Sequence, residues 1–192
     1  SRQGNFTGSG LPMRFAGSSG KIIDIYQHLN NVYDQQYTEN HDPEGFFNCF
    51  KGLMERSLNK EVYSFISIKS HNDEYYFSRA PLMKMLAYAN SKGIPVWTVS
   101  KLAEFVKMRD EARFTGISWS DNKLFFNLQS SLNHSSGLTI MVPLEYGDNR
   151  LTGIECNGEG IKYIKRSVKG YSYAFVTVKA GAEYSLIIDY AL

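Results

Sequence analysis

Apolar positions follow two different rules along this chain, and the change comes near Phe114. Before it, helical spacing alternates with short β-branched runs. Asp42-Pro43-Glu44 places a capping aspartate, a proline at the first helical position and an acid in the first turn. Phe46, Phe50 and Leu53, with Phe47, Met54 and Leu58, then recur at three- and four-residue steps and predict a helix over 42–58 with one apolar face. Ser78 opens a second helix, with Leu82, Met85, Leu86 and Ala89 on one face and Gly93 then Pro95 as its stop. Ser100 caps a third, with Leu102, Phe105 and Val106 inward. Strand composition marks 21–27, 62–68 and 94–99. Residues 11–16 suit a short extended piece and Gly17-Ser18-Ser19-Gly20 a turn, whereas 1–10 carry no period. The polar stretch 28–41 is long for a connection, and such segments are often functional.

Beyond Phe114 the helical period disappears. Alternating runs at 114–119, 123–128, 138–143, 151–156, 161–167, 171–178 and 182–190 are separated by Asn-, Asp- and Gly-rich turns. That spacing predicts an all-β antiparallel sandwich or barrel, and about 80 residues is enough for a seven-stranded sandwich. The first part reads β-α-β-α-β-α, the order of a parallel sheet with right-handed crossovers. So few parallel strands leave open edges and a thinly covered face, so the sheet is expected to be completed from elsewhere or to be the last part of a barrel. The expected organisation is an α/β domain over 1–113, a partial, deformed β/α barrel made of its C-terminal β-α units, and a β-sandwich over 114–192.

Composition narrows the function. The apolar fraction of 43% is enough for a core, which argues against disorder. A net charge of +2, with no basic run longer than Lys165-Arg166, lacks the concentrated patch that phosphate neutralisation needs, so nucleic acid is not an expected partner. No apolar run approaches the roughly 18 residues of a membrane span. No signal peptide is seen, and the Gly- and Ser-rich start at Ser1 reads as a cut within a longer polypeptide or as a processed or engineered end. Cys49 and Cys156 are expected as buried free thiols. No CxxC, HExxH or other metal-ligand spacing occurs.

The stretch 61–73 organises the first domain. Its strand runs out into His71, Asn72 and Asp73, where α/β folds build active sites beyond the carboxyl ends of strands. Imidazole titrates near neutrality, so His71 is the candidate proton donor. Asp73 stands near enough in sequence to orient it or to meet a substrate. Asp24 and Gln27, at the end of the 21–27 strand, are expected to face the same mouth as substrate contacts.

The succession from that strand to His71, a helix over 81–90, Lys92-Gly93, Ile94-Pro95-Val96-Trp97-Thr98-Val99-Ser100 and Leu102 resembles the end of the polysaccharide deacetylase (NodB homology) family. The resemblance covers about a quarter of the chain. It implies a deformed β/α barrel that removes N-acetyl groups from sugar polymers. In that family an Asp and two His hold a divalent metal, usually zinc, and an aspartate acts as base. A late histidine, His71 by position, protonates the departing amine. The family's early aspartate and histidine motifs are absent from this chain, and Lys69 stands where an apolar residue is usual. The expectation is therefore the C-terminal portion of such a hydrolase, with zinc ligands in the remainder of the parent polypeptide. Its partner would be a polysaccharide or glycan, and its location secreted or cell-surface. The rival expectation is a non-catalytic carbohydrate-binding or assembly module that kept the fold. Trp119 with Tyr163, Tyr171, Tyr173 and Tyr184 are candidates for a sugar-stacking surface, and Trp97, between valines, for core.

Overall fold

The structure is a computed structural model and describes residues 12–28, 30–59 and 64–192. It is a mixed fold, with four helices and mostly antiparallel strands among the described residues. The chain divides into two compact units, Ser1–Val99 and Ser100–Leu192.

In the first unit, β1 (Met13–Ala16) and β2 (Ile22–Gln27) form an antiparallel hairpin around the Gly17–Gly20 turn. Residues 21–27 therefore do form a strand, but they pair with residues 13–16 and not with a parallel neighbour. The parallel pair is instead β3 (Val32–Tyr33) and β4 (Ile68–Lys69). β3 lies inside the stretch read as a polar connection. β4 is the last part of the strand expected over 62–68; residues 64–67 are irregular and 61–63 fall outside the described set.

Two residues make a short ladder, and side chains extend it at both ends. Ser67 N donates to Asn31 Oδ1 at 2.9 Å before the pair, and His71 N donates to Asp34 Oδ2 at 2.6 Å after it. Asn and Asp offer backbone groups such alternatives to a regular ladder, so the pairing is set by side chains that carry no strand propensity.

α1 (Gln35–Thr38) follows β3 directly, and α2 (Pro43–Asn59) begins where its capping signal puts it. Gly45 N donates to Asp42 Oδ1 at 2.8 Å, satisfying a first-turn amide. A Cβ on Gly45 would run into that carboxylate, which explains glycine at a position where it otherwise weakens a helix. α3 (Tyr75–Ser91) starts before Ser78 and carries Pro81 within it. It stops at Gly93, φ 66°, with Gly93 N donating to the Asn90 carbonyl and Ile94 N to the Ala89 carbonyl. Those two bonds are the Schellman pattern, and Ile94 packs on the core beside it. Residues 94–98 are not assigned to a strand among the described residues. Phe46, Phe50 and Met54 of α2 meet Met85 and Ala89 of α3, with Val32 and Tyr37, in one core. Burying a side chain such as Phe46 contributes about 1.5–3 kcal/mol.

The second unit opens within α4 (Val99–Glu111); Phe105 and Met108 of this helix, and Ala112 just after it, pack on the strands that follow. These are β5 (Arg113–Ser120), β6 (Lys123–Gln129), β7 (Leu138–Pro143), β8 (Glu145–Tyr146), β9 (Asn149–Cys156), β10 (Glu159–Gly160), β11 (Ile164–Val168), β12 (Tyr171–Val178) and β13 (Glu183–Ala191). Each alternating run of the sequence appears among them. One sheet has the order β10-β9-β13-β6-β5, with β8 on β9, and the other is β11-β12-β7, all antiparallel. Alternation decides which residues face inward. Leu138, Ile140 and Val142 of β7 and Ala174, Val176 and Val178 of β12 share a core with Phe126, Leu128, Ile154, Leu186 and Ile188 of the larger sheet. Tyr190 OH donates to the Pro143 carbonyl at 2.9 Å and ties the sheets together.

Candidate functional site

Because β3 and β4 are parallel, their carboxyl ends lie side by side. Asp34 follows one and His71 the other. The Asp34 carboxylate is wholly buried, with 0% side-chain exposure, while the His71 side chain keeps 31%. Asp34 Oδ1 lies 2.6 Å from His71 Nδ1 and accepts from Gln35 N at 2.9 Å; Oδ2 accepts from His71 N. Ring and backbone of the histidine are thus held by one carboxylate. With Nδ1–H donating to Asp34, Nε2 is left to exchange a proton with a ligand.

Burial works to raise the Asp34 pKa, but hydrogen bonds from the His71 ring and backbone, then Ser70, outweigh it, and the group lies below its ordinary value. The carboxylate therefore stays charged beside the imidazole. Ser70 Oγ also lies within hydrogen-bond distance of Ser78 Oγ, 2.8 Å away, and Ser78 is fully buried. That contact fixes the turn carrying His71 against α3. An open cleft of about 340 Å³ is lined by Gln35 and Thr38 of α1, Glu39, His41, and Glu74 and Phe77 at the start of α3, neighbours in sequence of Asp34 and His71 but not the pair itself. Glu74 N donates to the His71 carbonyl, so cleft and histidine share a turn.

The other sequence candidates go elsewhere. Asp24 is on the β1–β2 hairpin with a 78% exposed side chain, 3.7 Å from Arg14. Gln27 ends β2 opposite Met13 and is exposed. Asp73 is exposed in the turn before α3, and Asp34, 37 residues away, is the residue that orients His71. The sequence contained one sign of Asp34: an apolar pair, Val32-Tyr33, followed by a residue suited to cap a helix. Trp97 is half-buried against Phe65, with ring centroids 6.2 Å apart. Tyr163 and Tyr184 are half-buried and pack on the second unit's core. Cys49 and Cys156 are half-buried free thiols, and burial pushes the Cys156 thiol up.

No group of three or more His, Cys, Asp or Glu is placed to hold a metal ion among the described residues. Both Asp34 oxygens are engaged by N–H donors, which leaves His71 Nε2 as the one open nitrogen of the pair. No helix among the described residues is long and apolar enough to cross a membrane. Comparison with known proteins finds no family model, no curated sequence and no solved structure that matches this chain. The arrangement defines its class by geometry alone: a parallel β-α-β unit with a His–Asp pair at its carboxyl end, followed by a unit of two antiparallel sheets.

Proposed function

We propose that this chain supplies the proton-transfer side of a polysaccharide deacetylase-like hydrolase acting on N-acetylated sugar polymers. In this reading the first unit is the last β/α portion of a deformed barrel and the second is a β-sandwich. The observation that carries it is the 2.6 Å contact between His71 Nδ1 and buried Asp34, with the His71 side chain still 31% exposed. Amide hydrolysis expels an amine, which leaves poorly unless it is protonated. An imidazole with one nitrogen held by a carboxylate and the other free is suited to deliver that proton. Asp34 is a positioning residue, since it acts through His71. Zinc belongs to this reading only as a group held by residues outside those described, and Asp24, Gln27 and Asp73 have no role in the proton transfer. A secreted or cell-surface location would follow from the substrate.

The test is acetate release from an N-acetylglucosamine oligomer by the complete protein. His71→Ala is expected to lower turnover by on the order of 10²–10⁴ while oligomer binding persists. A wild-type rate in that variant removes His71 from the chemistry. A second reading, a non-catalytic carbohydrate-binding module, is favoured by exposed aromatic rings in the second unit. It predicts oligomer binding with no acetate release at all.

A further inference from the structure

The second unit carries an aromatic cluster that proton transfer does not use. Trp119 of β5, Tyr146 of β8 and Tyr190 of β13 come together, with centroids 4.8 Å apart for Trp119–Tyr146, 5.5 Å for Trp119–Tyr190 and 6.5 Å for Tyr146–Tyr190. Tyr190 is buried and anchored through its hydroxyl to Pro143, so it forms the base. The outer rings remain open, Trp119 at 41% and Tyr146 at 61% exposure. A plug that only closed the core would put its largest rings inward.

Two hairpin turns border these rings. Asp121-Asn122, both at positive φ (50° and 60°), joins β5 to β6, and the Asn122 carbonyl accepts from Tyr190 N at 3.0 Å. Gly147-Asp148 joins β8 to β9 and sets Asn149 directly opposite Tyr146. Asp121, Asn122 and Asp148 are exposed and Asn149 is half-buried. An apolar floor therefore lies between turns rich in amide and carboxylate groups.

We propose that Trp119 and Tyr146 form a stacking platform for a pyranose ring of an uncharged glycan. The choice of glycan rests on the reading under Proposed function. A pyranose has a face of C–H bonds and a perimeter of hydroxyls. The C–H hydrogens carry partial positive charge and are drawn to the negative face of an aromatic ring. Trp and Tyr supply that face at small cost in side-chain entropy. Asn and Asp can accept from, and Asn also donate to, hydroxyls at the perimeter. A peptide would be recognised differently, by ladder hydrogen bonds to β5, an edge strand of its sheet.

The test uses the full chain and the N-acetylglucosamine tetramer as probe. In a Trp97→Phe background the only indole is Trp119, and its fluorescence should change saturably with tetramer. By calorimetry, Trp119→Ala should abolish binding and Tyr146→Ala weaken it about tenfold, with thermal melts confirming that each variant is folded. Tyr146 is mostly exposed, so its variant remains informative if Trp119→Ala unfolds. Amide exchange should slow at 121–122 and 147–149. Absence of saturable binding, wild-type affinity in the folded variants, or protection confined to the β5 edge would each overturn the proposal. The outcomes separate the two readings. Tetramer binding that survives His71→Ala in a protein without acetate release keeps the platform and removes the enzyme. His71-dependent release with no Trp119 response does the reverse.

Discussion

Replacing Asp34 by Asn probes the pair with the least change of shape. The carboxylate accepts from His71 N at 2.6 Å and Gln35 N at 2.9 Å and meets His71 Nδ1 at 2.6 Å. An amide has a single oxygen. If it faces Nδ1 and Gln35, its NH2 confronts the His71 backbone N–H; turned round, it confronts the other two groups. Hydrogen bonds to a charged partner contribute about 1.5–3 kcal/mol, and a buried donor left unmatched costs about 1–3 kcal/mol. A loss of about 1.5–3 kcal/mol is therefore expected at pH 7. Against a typical total of about 5–15 kcal/mol, it should be plain in urea unfolding followed by circular dichroism. The pH dependence has a definite sign. The folded-state pKa of Asp34 is depressed, so its stabilisation is complete above the unfolded value near 3.9 and is lost as pH falls through the folded value. The gap between wild type and Asp34→Asn should therefore close below about pH 4. A difference under about 0.5 kcal/mol at pH 7, within the range of ordinary surface substitutions, or a gap that widens in acid would refute the assignment.

Other outcomes follow from packing and caps. Asp42→Ala should cost about 1 kcal/mol in the wild-type background, and much less in Gly45→Ala, where the added Cβ already displaces the capping carboxylate; a double-mutant cycle reads the coupling. Tyr190→Phe removes the donor to the Pro143 carbonyl and should lower stability by about 0.5–1.5 kcal/mol in denaturant melts. Met85→Ala empties a fully buried site between α2 and α3 and should cost about 2–5 kcal/mol, read as a lower urea midpoint.

The second unit was the more legible half. Its strands follow period-two alternation, and turns such as Asp121-Asn122 carry residues that accept positive φ. α2 was equally clear because capping and periodicity agree there. α4 has a helical pattern that does not say which core it meets, and Phe105, Met108 and Ala112 meet the sheets. Residues 94–98 have strand composition but are not assigned to a strand among the described residues, and composition reports propensity and not pairing. β3 escaped notice because only Val32 and Tyr33 pair, with the rest of the register set by Asn31 and Asp34 side chains. The site was half legible for the same reason. His71 stands out at the end of an apolar run, whereas Asp34 sits among polar neighbours and is distinguished only by where the chain returns.

The account turns on His71 giving a proton to a departing amine, and leaving-group dependence tests that most directly. In the complete protein, the loss caused by His71→Ala should be compared for an N-acetylglucosamine oligomer and for 4-nitrophenyl acetate, whose phenolate leaves without protonation. The expected result is a loss on the order of 10²–10⁴ for the amide and under about tenfold for the activated ester. Equal losses on both substrates, or none on the amide, would contradict it.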